Sequence, residues 1–148
     1  TLHRHYLHKP AQGMLTPTVW IHLAPIGVIP VSLMNVVEQL PYPAAREVAT
    51  VLMLLVWGFG VWWLVMASLL TLAAQRAGQL PFALSWWGFT FPVGAFVAES
   101  LRLSQIIGWS STFGIGVVAW LLLCLLWAVT LYRTVRGVAS GAIFQPHP

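Results

Sequence analysis

The sequence predicts an all-α integral membrane protein with four transmembrane helices that form two helical hairpins. Of its 148 residues, 59% are hydrophobic and only 7% are charged, and the mean hydropathy is +0.82. Four long intervals, 10–37, 48–75, 77–98 and 103–132, contain no charged residue. Each can supply the roughly 20 apolar residues that a helix needs to cross about 30 Å of hydrocarbon. We therefore expect a single transmembrane domain over residues 1–148.

Turn signals between these intervals place the helices. The first is expected at about 19–37, the second at 48–73, the third at 85–104 and the fourth at 108–132. Turns rich in proline or glycine follow the first three, at 41–43, 78–81 and 107–108. Because all three connections are short, neighbouring helices are expected to run antiparallel.

The basic residues predict how the helices are oriented in the membrane. Arg4, Lys9, Arg76, Arg133 and Arg136 lie on one side of the predicted topology, and Arg46 and Arg102 lie on the other. Since basic residues are retained on the cytoplasmic side, both termini are expected in the cytoplasm, with the helices in the cell or inner membrane. Topology and anionic lipid account for the net charge of +4, so no nucleic-acid partner is expected.

A short pattern occurs in both the first and the third helix. WIHLAPIG contains Trp20, Pro25 and Gly27, and WGFTFPVG contains Trp87, Pro92 and Gly94, so both read W-x-x-x-x-P-x-G with an offset of 67 residues. Proline removes a backbone hydrogen bond, which membrane helices tolerate mainly where protein or a water-filled cavity compensates. The second and fourth helices lack proline and are dense in Leu, Val and Trp. Two hairpins, each of an interrupted inner helix and a bulky outer helix, are typical of transporters and channels.

Small residues surround Phe91 on one face of the third helix. Residues three, four and seven apart share a helical face, and here these are Gly88, Gly94, Ala95 and Ala98. One interpretation makes this face a narrow pore lining that Phe91 plugs. The other is that the small residues let helices pack closely, with Phe91 filling a gap. Composition alone leaves both interpretations open.

Three segments resemble one known family. SWWGFTFPVGAFVAES is similar to the penultimate helix of the voltage-dependent anion channel superfamily, TPTVWIHLAPIGV to its seventh helix, and RTVRGVASGAIF to the basic tail after its tenth. The superfamily includes the tellurite-resistance permease TehA, plant slow anion channels, and fungal malate and sulfite transporters. The resemblance implies ten helices in five hairpins around a pore, of which this chain would hold helices seven to ten. Because residues 1–10 lack both an initiating methionine and the features of a signal peptide, we expect the C-terminal part of a longer protein.

The resemblance also implies a function and its residues. It implies passage of small anions, such as malate, tellurite- or sulfite-type oxyanions, chloride or nitrate, through the pore of a homotrimer, without a cofactor. The gating phenylalanine of the family matches Phe91. The expected pore-lining and helix-kink residues are Ala24, Pro25, Gly27, Gly88, Pro92, Gly94, Ala95 and Ala98. The alternative is a non-transporting assembly or regulatory subunit, and the identity of the anion and the choice between channel and proton-coupled transporter stay open.

Few polar residues lie within the predicted helices. Glu99 is expected near the outer end of the third helix, either in an ion pair with Arg102 or as a charge that tunes anion entry or couples protons. His22 is expected to hydrogen-bond within the bundle or to relay protons. The three histidines in 3–8 fit no tight metal geometry, and the chain has only three acidic residues. Neither a metal site nor an enzyme activity is therefore expected.

Overall fold

The computed structural model describes residues 16–78, 82 and 84–141, and these residues form helices and short connections. The four α-helices are α1 (Leu23–Val37), α2 (Pro43–Arg76), α3 (Thr90–Ile107) and α4 (Ser110–Ala139). A 3₁₀ segment comes directly before α1 (Thr16–His22), and another comes directly before α3 (Leu84–Phe89). The prediction of an all-α protein with four helices is confirmed.

Contacts between the helices give their directions. The pairs are Trp20 with Thr71 and Ile26 with Gly60 for α1, with its preceding 3₁₀ segment, and α2, and Trp87 with Thr134 and Ser100 with Gly116 for α3, with its preceding segment, and α4. In both sets the partner's number falls as the first number rises, so each pair is an antiparallel hairpin. The inner helices α1 and α3 are parallel to each other, since Trp20 contacts Phe89 and Gly27 contacts Ala95 further along.

The outer helices are longer than the sequence indicates. α2 begins at Pro43 rather than at residue 48, because proline at the first helical position lacks only an N–H that has no partner there. α4 continues to Ala139 rather than ending at 132. Arg136 lies in its last turn, where the negative end of the helix dipole favours a cation.

α3 differs from the other helices in polarity and burial. Three segments of the described chain are long and apolar enough to cross a membrane, Val19–Val37, Pro43–Arg76 and Ser110–Ala139, and α3 is not among them. Its second half carries Glu99, Arg102 and Gln105, which lower its hydropathy. α3 contacts all three other helices, and much of its length is buried. Shielding by its neighbours, rather than its own hydropathy, keeps α3 within the bundle.

Glycine lets the inner helices pack backbone to backbone. A Cβ atom at Gly27 of α1 would overlap the carbonyl carbon and oxygen of Ala95 in α3. A Cβ atom at Gly60 of α2 would lie 2.7 Å from the ring of Phe96 and 2.8 Å from Ile26. In membranes, helix association depends on such close packing, because lipid tails are as apolar as the side chains.

The repeat of the sequence is also a repeat of structure. The change from 3₁₀ to α-helix falls at Leu23 in one copy and at Thr90 in the other, again 67 residues apart. In both copies the repeat tryptophan donates a hydrogen bond to a threonine of the outer helix, Trp20 Nε1 to Thr71 Oγ1 at 2.9 Å and Trp87 Nε1 to Thr134 Oγ1 at 3.3 Å. The tryptophan therefore ties the start of each inner helix to the last turns of its outer helix.

The repeat prolines lie at the start of the α-helices rather than in the middle of a broken helix. Pro25 and Pro92 are each the third residue of their α-helix. A proline lacks a backbone N–H, which is tolerated in the first turn of an α-helix because the N–H groups there have no partner within the helix. The expected interruption is thus a change of helix type. Pro30 lies inside α1, and the sequence pattern did not single it out.

Loss of the tryptophan hydrogen bond should weaken the α1–α2 hairpin. We expect the coupling between Trp20→Phe and Thr71→Val in a double-mutant cycle to be about 0.5–1.5 kcal/mol of unfolding free energy. Denaturant unfolding in detergent measures it. The same cycle at Trp87 and Thr134 should give a smaller coupling, because that hydrogen bond is longer. Zero coupling at both pairs would mean that the tryptophan–threonine hydrogen bonds do not stabilise the hairpins.

Candidate functional site

One side of α3, the second inner helix, is left uncovered by the other helices. The exposed residues of α3 are seven positions apart, which two turns of α-helix bring to the same side, and one further exposed residue, seven positions earlier, lies in the preceding 3₁₀ segment. They are Leu84, Phe91, Ala98 and Gln105, and we call this row the α3 stripe. The Phe91 side chain is 68% exposed, the highest value among the large hydrophobic residues of the described chain.

Small residues flank Phe91 beside the stripe. Gly88, Gly94 and Ala95 are half-buried, and Ala98 is exposed. Among the described residues, a Cβ atom at Gly94 would touch only Leu123 outside its own helix, at 3.7 Å, so close helix packing there does not require a glycine. Phe91 is therefore a single aromatic projection from a smooth surface.

α1 presents a comparable row next to its contact with α3. Ala24, Val28 and Asn35 share a helical face, since they are spaced four and seven residues apart. Ala24 is half-buried, and Val28 and Asn35 are exposed. Pro25 is exposed on the neighbouring side of the helix. The free sides of the two inner helices thus carry mostly small or aliphatic residues.

Two of the residues expected to line a pore are buried. Gly27 lies against the backbone of Ala95, and Pro92 is buried on the covered side of α3. Both positions therefore contribute to the structure of the helices and not to the free surface of the described chain. The W-x-x-x-x-P-x-G pattern includes both residues because glycine and proline occur at helix contacts as well as on open helix faces.

Glu99 is fully buried. Its exposure is 0%, and neither carboxylate oxygen has a hydrogen-bond partner among the described residues. Along α3 it lies between Ala95, which packs on α1, and Leu103, which packs in a cluster with residues of α1 and α2. It therefore faces the interface between the inner helices. The predicted ion pair of Glu99 with Arg102 is wrong.

Arg102 pairs with Glu38 instead. Its Nη2 atom donates to both carboxylate oxygens of Glu38, each at 2.5 Å, and Nη2 of Arg46 lies 3.6 Å from Glu38 Oε1. We call these three residues the charged cluster; it joins the end of α1, the start of α2 and α3. A cavity of about 310 Å³ is lined by the cluster and by Met34, Gln105 and Ile106.

The sequence did contain a signal for this pairing. Applied to Glu38, the 67-residue offset of the repeat gives residue 105, one helical turn from Arg102. Because α1 and α3 are parallel, residues near this offset lie at the same height of the bundle. The prediction that paired Glu99 with Arg102 used spacing within one helix alone, and it therefore overlooked Glu38 at the end of the neighbouring helix.

His22 lies at the other end of α1 and is exposed. Its Nδ1 atom is 3.3 Å from the carbonyl oxygen of Val19, and its ring centroid is 4.9 Å from that of Trp63. Among the described residues, no group of three or more metal-binding side chains comes together. The histidines in 3–8 lie outside the described residues.

Replacing Glu99 by a residue of similar size without a charge should stabilise the protein. A buried polar group without a hydrogen bond costs about 1–3 kcal/mol, so Glu99→Met is expected to raise the unfolding free energy within that range. Thermal unfolding in detergent measures this. Glu38→Met serves as the contrast and should destabilise, because it leaves Arg102 without its partner. A lower melting temperature for Glu99→Met would indicate a partner that stabilises the carboxyl group.

The fold and its free surface define a class of protein. This is a multi-pass helical membrane protein whose repeated hairpins place an inner helix against bulky outer helices, an organisation found in channels and transporters. Within that class, the chain belongs to the voltage-dependent anion channel family, which it matches over residues 1–135. The resemblance noted in the sequence is thereby confirmed.

Individual relatives are named as transporters. An uncharacterized transporter of Methanocaldococcus jannaschii is 40% identical over 146 residues, which are 99% of this chain and 42% of the relative. A sulfite efflux pump of Arthroderma otae is 30% identical over 62% of this chain and 24% of the pump. The malic acid transport protein of Schizosaccharomyces pombe is 31% identical over 67% of this chain and 23% of that protein. The chain thus spans less than half the length of these relatives, and no solved structure matches it significantly.

Proposed function

We propose that the complete protein passes small anions across the membrane and that the α3 stripe lines their path. The observation that carries this proposal is the stripe itself, an uncovered row with small neighbours and one exposed aromatic ring. If the uncovered side of α3 were rich in Leu, Val and Trp, as those of α2 and α4 are, we would expect it to face lipid instead of an anion path. Phe91 is the proposed gate, because its ring would close a narrow lumen by its size and by excluding water.

This chain supplies part of the proposed pore. It covers 42% of the length of the Methanocaldococcus relative, and two inner helices cannot enclose a lumen. We propose ten helices in five hairpins, with this chain as helices seven to ten, and a homotrimer of the complete protein. In a ring of five inner helices, α1 and α3 would be neighbours, in keeping with the contact of Gly27 and Ala95.

Anions would pass this surface without a tight site. Between Phe91 and Arg102, the one exposed residue of α3 is Ala98, which carries no charge. Conduction requires exit as well as entry, so weak contacts suit rapid passage. The names of the relatives favour a small oxyanion such as sulfite or a dicarboxylate such as malate. Chloride and nitrate remain further candidates.

The basic residues support an orientation with both termini in the cytoplasm. Arg76 and Arg136 lie at the ends of the outer helices, and Arg133 lies 4.8 Å from the ring of Trp86 at the same end. Arg46 and Arg102 lie at the opposite end. Retention of basic residues in the cytoplasm would then place the charged cluster on the non-cytoplasmic side.

Anion flux into liposomes tests the proposed function. The complete protein is reconstituted, and entry of sulfite, malate, chloride and nitrate is measured against protein-free liposomes. Selective entry of one or more anions would support the proposal. If none enters, and none enters after Phe91→Ala, the small-residue faces are packing surfaces and the chain belongs to a non-transporting subunit.

Coupling of the flux to protons stays a prediction for His22 and Glu99. The same assay at two pH values, with His22→Gln and Glu99→Gln, separates the two residues. Loss of the pH dependence in one variant would assign the coupling to that side chain. If the flux of both variants still depends on pH, neither residue couples protons. If the flux of the parent protein does not depend on pH, the protein is a channel rather than a proton-coupled transporter.

A further inference from the structure

The charged cluster places two of its charges where the helices disfavour them. Glu38 caps the C-terminal end of α1, where the helix dipole opposes a negative charge. Arg46 lies at the first turn of α2, where the dipole opposes a positive one. Helix capping therefore explains neither residue. Arg102 holds the Glu38 carboxylate by donating to both of its oxygens, and Nη2 of Arg46 lies 3.6 Å from Glu38 Oε1.

We propose that Arg46 and Arg102 form a binding site for small oxyanions or carboxylates, which the Glu38 side chain occupies in this structure. The inference rests on the proposed anion path for the choice of ligand. A guanidinium group offers a planar set of donors that matches a carboxylate or an oxyanion. The Glu38 carboxylate is such a group, and a bound anion would accept the hydrogen bonds that it accepts from Arg102 Nη2.

The surroundings of the cluster leave room for an exchange. On the side of Arg102 lies the cavity of about 310 Å³. A second cavity, of about 390 Å³, is lined by Val37, Glu38, Leu40, Pro41, Tyr42, Pro43, Arg46 and Glu47. Glu38 and Arg46 line both cavities, so the Glu38 side chain has space to turn away from Arg102. An anion would then take its place between the two arginines.

The site lies at one end of the proposed path. Gln105 belongs to the α3 stripe, and Arg102 is one helical turn beyond Ala98 on the same helix. An anion that moves along the stripe would reach Arg102 after Ala98. Glu38 then competes for the same donors, which keeps the affinity low and speeds release. The cluster thus acts as a site where anions enter and leave the path, and the Glu38 carboxylate competes with them for the arginines.

Binding measurements on the complete, purified protein test this site without relying on flux. Sulfite and malate are titrated by calorimetry into the parent protein, Glu38→Gln and Glu47→Gln. We expect Glu38→Gln to lower the Kd for at least one of these anions about tenfold, because it removes the competing carboxylate. Glu47→Gln removes the same charge from the lining of the second cavity without removing a side chain that accepts from Arg102, so it should lower the Kd less than Glu38→Gln does.

Further variants distinguish the possible outcomes. Arg102→Gln added to Glu38→Gln should abolish the gain in affinity. If Glu38→Gln does not fold, Glu38→Asp, which shortens the side chain, should also tighten binding. Equal affinities in the parent, Glu38→Gln and Glu38→Asp would overturn the site while leaving flux through the parent protein intact. Tighter binding without any flux would keep the site and reject the proposed transport.

Discussion

Replacement of Phe91 by alanine is expected to raise anion flux through the complete protein several-fold. The Phe91 ring is exposed on the α3 stripe, and its neighbours Gly88, Gly94 and Ala95 add little bulk. Removing the ring would therefore widen the path where it is proposed to be narrowest. Liposome flux of sulfite and malate measures the change. Phe91→Leu should give an intermediate rate, because leucine fills part of the same space.

A second phenylalanine provides the control for Phe91. Phe113 lies on α4 and is 54% exposed, but it is not part of the α3 stripe. Phe113→Ala removes the same number of atoms and should leave the flux unchanged. If Phe91→Ala and Phe113→Ala both conduct like the parent protein, Phe91 does not gate the path.

Alanine in place of Gly27 is expected to destabilise the protein by about 2 kcal/mol or more. The added Cβ atom would overlap the carbonyl group of Ala95, and both partners are helix backbone that cannot move independently. Overpacking of this kind typically costs about 1–3 kcal/mol. Alanine favours the helix over glycine by up to about 1 kcal/mol, so a net loss of stability must come from the contact.

Gly58 of α2 is the matched control for Gly27. A Cβ atom there would meet no other part of the described chain within 4 Å, apart from the neighbouring backbone of its own helix. Gly58→Ala should therefore leave the stability unchanged or raise it by about 0.5–1 kcal/mol. Denaturant unfolding in detergent compares the two variants. Equal effects of Gly27→Ala and Gly58→Ala would mean that α1 and α3 do not pack as closely as described.

The sequence predicts the helices well because composition determines them. Long intervals without charge must span the membrane or be buried, and glycine and proline mark where they end. The W-x-x-x-x-P-x-G pattern also pointed to the inner helices. It did not predict the change from 3₁₀ to α-helix at Leu23 and Thr90, because that change depends on hydrogen-bond geometry before the proline.

The polar partners were harder to predict. Local spacing suggested Arg102 as the partner of Glu99, since residues three apart are neighbours on a helix. Tertiary packing instead brings Glu38 to Arg102 from a position 64 residues away. Glu99 turns towards α1 and has no partner in the described part of the chain. Which face of a helix is covered depends on its neighbours, and composition does not specify them.

Accessibility of Ala98 to water tests the proposed path most directly. Cys124, an exposed cysteine on α4, is first replaced by alanine. Ala98→Cys, Val97→Cys and Leu121→Cys are then treated in membranes with a charged, impermeant thiol reagent from either side. Ala98 belongs to the α3 stripe, Val97 is buried, and Leu121 is exposed on the outer helix α4. We predict that Ala98→Cys reacts and the other two do not. An Ala98→Cys variant as unreactive as Leu121→Cys would contradict a water-filled anion path along the α3 stripe.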